Sequence, residues 1–231
     1  MKHVRLAAAC FLVAGLAVSG TAYAQQGFNV QLGYFSVRGE DGRTENDVIA
    51  VNRQYLLFDV KDLSGFTIGG EWTFPVGEYL EGGVGVQFFQ RSVPAVYAEW
   101  TYDDGREIVQ EMKLRNVPVT ATVKILPFGR SMAIQPYVGG GIGINMWRYS
   151  ETGDFVDFAD GAIFRDSFVG TGTAVGPVGI FGIRGRVAPQ VDVGFELRYQ
   201  WAEGKLDTQD FLSDRIDLGG FNALAVFRTR F

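Results

Sequence analysis

The chain has 231 residues, 47% hydrophobic and 14% aromatic with 31 glycines, and carries 21 basic against 26 acidic side chains for a net charge of −5. An acidic balance with no basic, aromatic-interleaved patch excludes a nucleic-acid surface. His3 and Cys10 are the only histidine and cysteine, so the chain beyond them is excluded from Ser-His or Cys-His nucleophilic chemistry and from His or Cys metal ligation.

Met1 to Ala24 has the form of a secretory signal. Lys2, His3 and Arg5 make a positive start, Leu6 to Val18 an apolar core, and Ala22-Tyr23-Ala24 a small-x-small cleavage site. The apolar run is shorter than the roughly 20 residues of a membrane helix. Cys10 precedes most of that run, so a lipoprotein anchor is not expected. Cleavage leaves one domain, residues 25 to 231. Without Lys2 and Arg5, 19 basic side chains face 26 acidic ones, a charge of −7. The mature chain has no cysteine for a disulfide, although export would permit one.

Gly27 to Val37 places Phe28, Val30, Leu32 and Tyr34 on one face and Asn29, Gln31 and Gly33 on the other, the period of a strand. A polar connection, Arg38 to Ser64, contains an apolar island at Tyr55 to Phe58. Gly65 to Phe74 alternates again, Phe66, Ile68 and Trp72 opposing Thr67, Glu71 and Thr73, and Pro75-Val76-Gly77-Glu78 turns the chain. Tyr79 to Gln90 is the third strand, with Val84, Val86 and Phe88 against Glu81, Gly85 and Gln87. Arg91 to Lys113 is a second long polar connection. Leu114 to Leu126 sets Val119, Val123 and Ile125 against Thr120, Thr122 and Lys124, before a turn at Pro127 to Arg130.

Ala133 to Trp147 is a Gly-rich strand with Ile134, Val138, Ile142, Ile144 and Met146 on one face. Glycines weaken a strand, and a crowded, strongly curved barrel wall is where they are tolerated. The acidic third connection is Tyr149 to Gly170, followed by a strand at Thr171 to Arg186 and a turn at Val187 to Gln190. Val191 to Trp201 alternates most cleanly, with Val193, Phe195 and Leu197 opposite Asp192, Glu196 and Arg198. Ala202 to Asp217 leads to the last strand, Leu218 to Phe231. Phe221, Phe227 and Phe231 share one face of it, and Leu224, Val226, Arg228 and Arg230 the other.

Composition alone suits either a soluble β-sandwich or a membrane barrel. The connections decide, because they alternate long and short throughout, and only a barrel with short periplasmic turns and long extracellular loops has reason to do so. The expectation is an all-β fold, a closed antiparallel eight-stranded transmembrane β-barrel. Hydrocarbon offers no partners to a free sheet edge, so the last strand must pair with the first. Aromatics near strand ends, such as Tyr34, Trp72, Phe88, Trp147, Trp201 and Phe231, are placed in interfacial girdles.

The QPYVGGGIGI run at Gln135 to Ile144, the VGFELRYQW run at Val193 to Trp201 and the terminal RTRF resemble the small outer-membrane β-barrel family that includes opacity-type surface proteins. The resemblance covers essentially the whole mature chain and specifies fold better than activity. It implies the outer membrane of a Gram-negative cell, contact with outer-membrane lipid and lipopolysaccharide, and a C-terminal aromatic strand read by the barrel-assembly machinery. Phe231 matches that signal position and Phe227 is the next aromatic. In that family the third-from-last position is often aromatic; here it is Thr229.

Inward-facing charges include Glu71, Lys124, Glu196, Arg198, Arg228 and Arg230, together with Glu81 and Asp192. An eight-stranded barrel is just wide enough for side chains to fill it, so these are expected to pair in a polar plug, with Arg228 and Arg230 turned toward carboxylates such as Glu196. Leu224 and Val226 make the upper lumen partly apolar in this reading. Asp154, Asp157, Asp160 and Asp166 in the third connection lack a Ca²⁺-loop pattern and read as a solvated acidic stretch. The apolar side chains beside them give a set of contact candidates, Asp154, Phe155, Asp157, Phe158, Asp160 and Phe164, for an extracellular ligand. The Gly-rich run lacks the strand-turn-helix setting of a dinucleotide site. No cofactor, metal or catalysis is expected. The function reads as a monomeric barrel with a structural or surface-interaction role, the alternative being a narrow pore or transporter for small molecules.

Overall fold

A computed structural model describes residues 26–231; the expected signal at Met1 to Ala24 lies outside the described residues. Eight strands follow in order: β1 (Gly27–Val37), β2 (Gly65–Val76), β3 (Leu80–Thr101), β4 (Glu107–Ile125), β5 (Ile134–Val156), β6 (Ile163–Ala188), β7 (Val191–Gln200) and β8 (Gly220–Arg230). Each pairs antiparallel with its sequence neighbours, and β8 returns to β1 in a ladder running from Gly27↔Arg230 to Val37↔Gly220. The sheet is therefore closed, as hydrocarbon demands.

Alternation sorts the wall. Phe28, Val30, Ile68, Val84, Val123 and Phe195 point out, and Asn29, Gln31, Glu71, Thr122, Lys124 and Glu196 are buried in the lumen. The glycine run of β5 is a matter of close approach. A Cβ on Gly141 would stand 2.0 Å from the Ala121 carbonyl oxygen of β4, and one on Gly139 would stand 2.3 Å from that of Val123.

The second and third connections are where expectation and structure part. Arg91 to Lys113 and Tyr149 to Gly170 are not loops: β3 runs on to Thr101, β4 begins at Glu107, β5 reaches Val156 and β6 begins at Ile163. Only tight turns remain at the tips, where Gly105 and Gly161 take φ of 82° and 76°. The cause is the change of solvent. Above the lipid belt the outward positions Arg115, Lys113, Arg148 and Ser150 face water, while Leu114, Met112, Trp147 and Tyr149 are buried on the inner side. The alternation persists with its polarity inverted, so the polar run belongs to the outward face of a strand and not to a loop. Trp147, assigned to the lipid girdle, is 4% exposed and points inward for the same reason.

β3 to β6 thus rise as a tall curved sheet above the shorter β7, β8, β1 and β2. The first connection folds into its hollow as a short helix, Val48–Asn52, followed by a two-residue strand at Leu56–Leu57 that pairs with Tyr97 and Val96 on the free edge of β3. Asp47 caps the helix by accepting from the Ala50 amide. It also accepts from the Asp217 amide at 2.6 Å and binds Arg43, tying the first connection to the last. Val48, Ile49 and Leu63 from the first connection join Phe35, Phe89, Met112, Trp147, Phe211 and Ile216 in one apolar core. Burial of each such side chain contributes about 1.5–3 kcal/mol. The upper lumen is thus apolar, but it is filled, and mostly by residues of the loops and the inverted strands.

Candidate functional site

Two sets of buried charge cross the lumen. At mid-height Lys124 Nζ lies 2.6 Å from Glu71 and 3.1 Å from Glu196, and Arg198 lies 2.7 Å from Glu196 and 3.6 Å from Glu71. Asn29 and Thr122 donate to Glu71, and the Tyr137 hydroxyl donates to Glu196. Two acids meet two bases, so the set is neutral, and the hydrogen bonds satisfy the oxygens that the ion pairs leave over. Nearer the periplasmic end Arg184 grips Glu81 through both oxygens at 2.8 and 2.9 Å, and Arg228 reaches Glu81 at 2.6 Å. Arg230 pairs with Asp192 at 3.2 Å.

Of the six lumen charges singled out from the sequence, Glu71, Lys124, Glu196 and Arg198 form one cluster. Arg228 and Arg230 do not join it. The β7–β8 register sets Leu224 opposite Glu196 and Arg228 opposite Asp192, so Arg228 lies two pleat repeats and Arg230 three repeats too low for Glu196. By the same register Leu224 and Val226 sit level with the charge clusters, below the apolar cap. Arg184 and Tyr137 were missed, though the outward Phe181 and Ile183 on β6 fix Arg184 inward.

A different site opens at the extracellular mouth, a cavity of about 410 Å³. Tyr55 and Leu56 of the first connection and Tyr97 of β3 form one side, the tip of the β5–β6 hairpin another, and Phe211 and Leu212 of the last connection a third. From the candidate set, Phe155, Asp157, Phe158 and Phe164 line it, and Asp154 and Asp160 do not. Phe155 stacks on Phe164 at 5.9 Å and meets Phe168 edge-on at 4.9 Å, while Phe158 lies 5.0 Å from Tyr55. Asp157 and Asp160 accept from the Ala159 and Ala162 amides and hold the turn.

The cavity ends on two side chains the sequence reading passed over. Glu151, 6% exposed, accepts from Asn52 at 2.5 Å and from the Tyr149 hydroxyl at 2.7 Å, both on Oε1. Burial raises the Glu151 carboxyl above its ordinary value, and no cation offsets it. Gln110, 3% exposed, has an Oε1 with no hydrogen-bond partner. The signal for both was the inverted alternation: Trp147, Tyr149 and Glu151 share one face, as do Leu114, Met112 and Gln110.

No family model and no curated protein matches the chain. Among solved structures, the outer membrane protein OprG from Pseudomonas aeruginosa superposes with a TM-score of 0.53 at 13% identity, covering 91% of this chain and 98% of that chain. The fold is that of the small eight-stranded outer-membrane barrels. Neisserial surface protein A has a TM-score of 0.48 at 14% identity over 89% of this barrel and 97% of its own chain. The Ail protein of Yersinia pestis has a TM-score of 0.43 at 13% identity over 91% of this barrel and the whole of its own chain.

Within the barrel, removing one member of the central cluster strands its partners. Lys124→Met leaves Glu71 and Glu196 facing each other and is expected to lower the unfolding free energy by about 3–5 kcal/mol, read by urea unfolding in phospholipid vesicles. Adding Glu196→Gln should recover part of that loss, and additive losses in the double variant would refute the coupling. Glu151 behaves oppositely to an ion-paired acid. Its raised pKa means the folded state keeps a proton that the unfolded chain releases, so stability is lost as pH rises through the folded pKa. Asn52, Tyr149 and the rim acids Asp157 and Asp210 surround it without a base. Glu151→Gln is therefore expected to unfold at higher urea than the native chain at pH 8, the gap closing toward pH 4; an equal gap at both pH values would contradict it.

Proposed function

We propose that the protein is a non-enzymatic barrel of the outer membrane, inserted after cleavage of its N-terminal signal, that binds a small hydrophobic or amphipathic molecule at its extracellular mouth and does not conduct. The observation that carries this reading is the separation of the mouth cavity from the periplasmic end. The cavity shares no lining residue with the roughly 260 Å³ arginine-lined recess at the opposite mouth. Between them lie the apolar cap, an Asn/Gln layer around a void of about 10 Å³ lined by Gln87, Asn116, Gln200 and Asn222, and the two charge clusters. Such a void admits about one water. A pore or lateral conduit would need the cap displaced or a ladder opened, and β7, β8, β1 and β2 stay in register through the belt. The volume falls within the ordinary range of roughly 300–1,000 Å³ for small-molecule sites.

Lipopolysaccharide is the membrane partner favoured by a second feature. Arg115 and Arg148 face each other across β4 and β5 on the outer wall, with Lys113 one inward-outward repeat above. Like charges opposed across a ladder are destabilising, and none of the three has an ion-pair partner among the described residues. Arg115 and Arg148 stand one repeat above the outward pair Val117 and Met146, at the height this reading assigns to lipid phosphates. Phe227 and Phe231 face lipid, in keeping with a role in assembly.

For the mouth, the barrel in phosphatidylcholine nanodiscs should give saturation-transfer signals with 2-phenylethanol that fall about tenfold in Phe158→Ser/Phe164→Ser. The native barrel in planar bilayers should show no openings above leak; discrete conductance steps would overturn the non-conducting reading. For the wall, added lipopolysaccharide is expected to raise the thermal midpoint of the native barrel in phosphatidylcholine vesicles by about 3 °C or more. An unchanged rise in Arg115→Gln/Arg148→Gln would place the lipid elsewhere.

A further inference from the structure

Three acids and no base line the mouth cavity: Glu151 at its floor, Asp157 and Asp210 nearer its rim. Glu151 is 94% removed from solvent by its 6% exposure, and both of its hydrogen bonds arrive on Oε1, leaving Oε2 without a donor among the described residues. Its two donors, Asn52 and Tyr149, are neutral. Gln110 Oε1 is a buried acceptor without a partner on the same wall. A buried acceptor left unpaired costs roughly 1–3 kcal/mol, more for a charged one, so the floor lacks donors and positive charge together. Tyr55, Tyr97 and Phe158 line the same cavity, and aromatic rings attract cations.

We propose that the occupant is an amphipathic organic amine, its ammonium hydrogen-bonded to Glu151 Oε2 and Gln110 Oε1 and its apolar body held among the phenylalanines of the β5–β6 hairpin. This rests on the mouth being a ligand site at all and adds the class of ligand. The contrast within the same protein supports it. Every other carboxylate buried in the lumen has a basic side chain within 3.2 Å, supplied by another strand: Glu71 and Glu196 by Lys124, Glu81 by Arg184 and Arg228, Asp192 by Arg230. Among the described residues, Glu151 is the buried acid with no basic side chain paired to it. A carboxylic acid ligand would meet three acids, and a neutral alcohol would leave the charge unanswered.

The test compares three probes of one shape. The mature chain in phosphatidylcholine nanodiscs is titrated at pH 8 with 2-phenylethylamine, 2-phenylethanol and phenylacetate, with empty nanodiscs subtracted. The amine is expected to bind at least tenfold more tightly than the alcohol, and phenylacetate most weakly. Glu151→Gln, with folding checked by the heat-modifiable shift of its gel migration, is expected to bring the ratio of amine to alcohol affinity close to one. Alcohol or phenylacetate binding as well as the amine, or an unchanged ratio in Glu151→Gln, overturns the amine assignment while leaving the mouth a ligand site. Absence of binding by all three overturns both readings.

Discussion

The constraint on which the structure depends is that hydrocarbon cannot hydrogen-bond. Each backbone amide within the belt must find its partner on a neighbouring strand, so the sheet closes and β8 lies against β1. Closure with so few strands fixes the diameter, and the diameter fixes the lumen: wide enough for side chains, too narrow for a water column beside them. The polar half of every strand is thereby sent into a space it must fill by itself. The charge clusters follow from this. Isolated charges there would be prohibitive, and the strands supply acids and bases at matching heights so that Lys124 and Arg198 each serve both Glu71 and Glu196.

Much of this was legible in the sequence, because within the belt one rule governs every strand. The bounds of β1, the faces of β2, β7 and β8 and the closure itself follow from period-two alternation and connection lengths. What the sequence hides is height. Arg228 is visibly an inward residue, but whether it meets Glu196, Asp192 or Glu81 depends on strand stagger, which no local pattern encodes. The outer halves of β3 to β6 were hidden for a different reason. Where lipid gives way to water, the outward face turns from apolar to polar and the inward face from polar to apolar, so Met146 and Trp147 lie on opposite sides of a reversal. Searched with one polarity, such a strand reads as structure and then as loop.

The cap at the extracellular end is a second fold set on the first. Below the boundary the protein is held as membrane barrels are, by ladders and buried ion pairs. Above it, the hydrophobic effect acts in the ordinary way, and the tall sheet binds the first and last connections to its inner face as a soluble domain binds its core. Asp47 and Asp217 stitch those two connections together through Arg43, Arg38 and backbone amides. Nothing in either connection alone announces this, since each is a polar stretch with a few apolar residues. The apolar island at Tyr55 to Phe58 gains its meaning only when Leu56 meets Tyr97 across the free edge of β3.

One buried acid is treated differently from the rest, and that difference separates scaffold from site. In the lumen a carboxylate without a cation would undermine the barrel, so each has at least one basic partner. In the cap Asp47 and Asp217 are likewise paired, with Arg43 and Arg38, and Glu151 alone among the buried acids of the described residues has no basic partner. Glu151 has two neutral donors, a carboxyl that burial raises above its ordinary value, and a second oxygen without a donor among the described residues, at the wall of a cavity. A perturbed acid with a specific hydrogen-bond shell in a cleft is a marker of function, whereas an ion-paired one of equal burial is explained by stability alone. The charges that first draw attention in this sequence, the arginines of the last strand, are therefore scaffold. The acid with chemistry left to do lies in a stretch that reads as a loop.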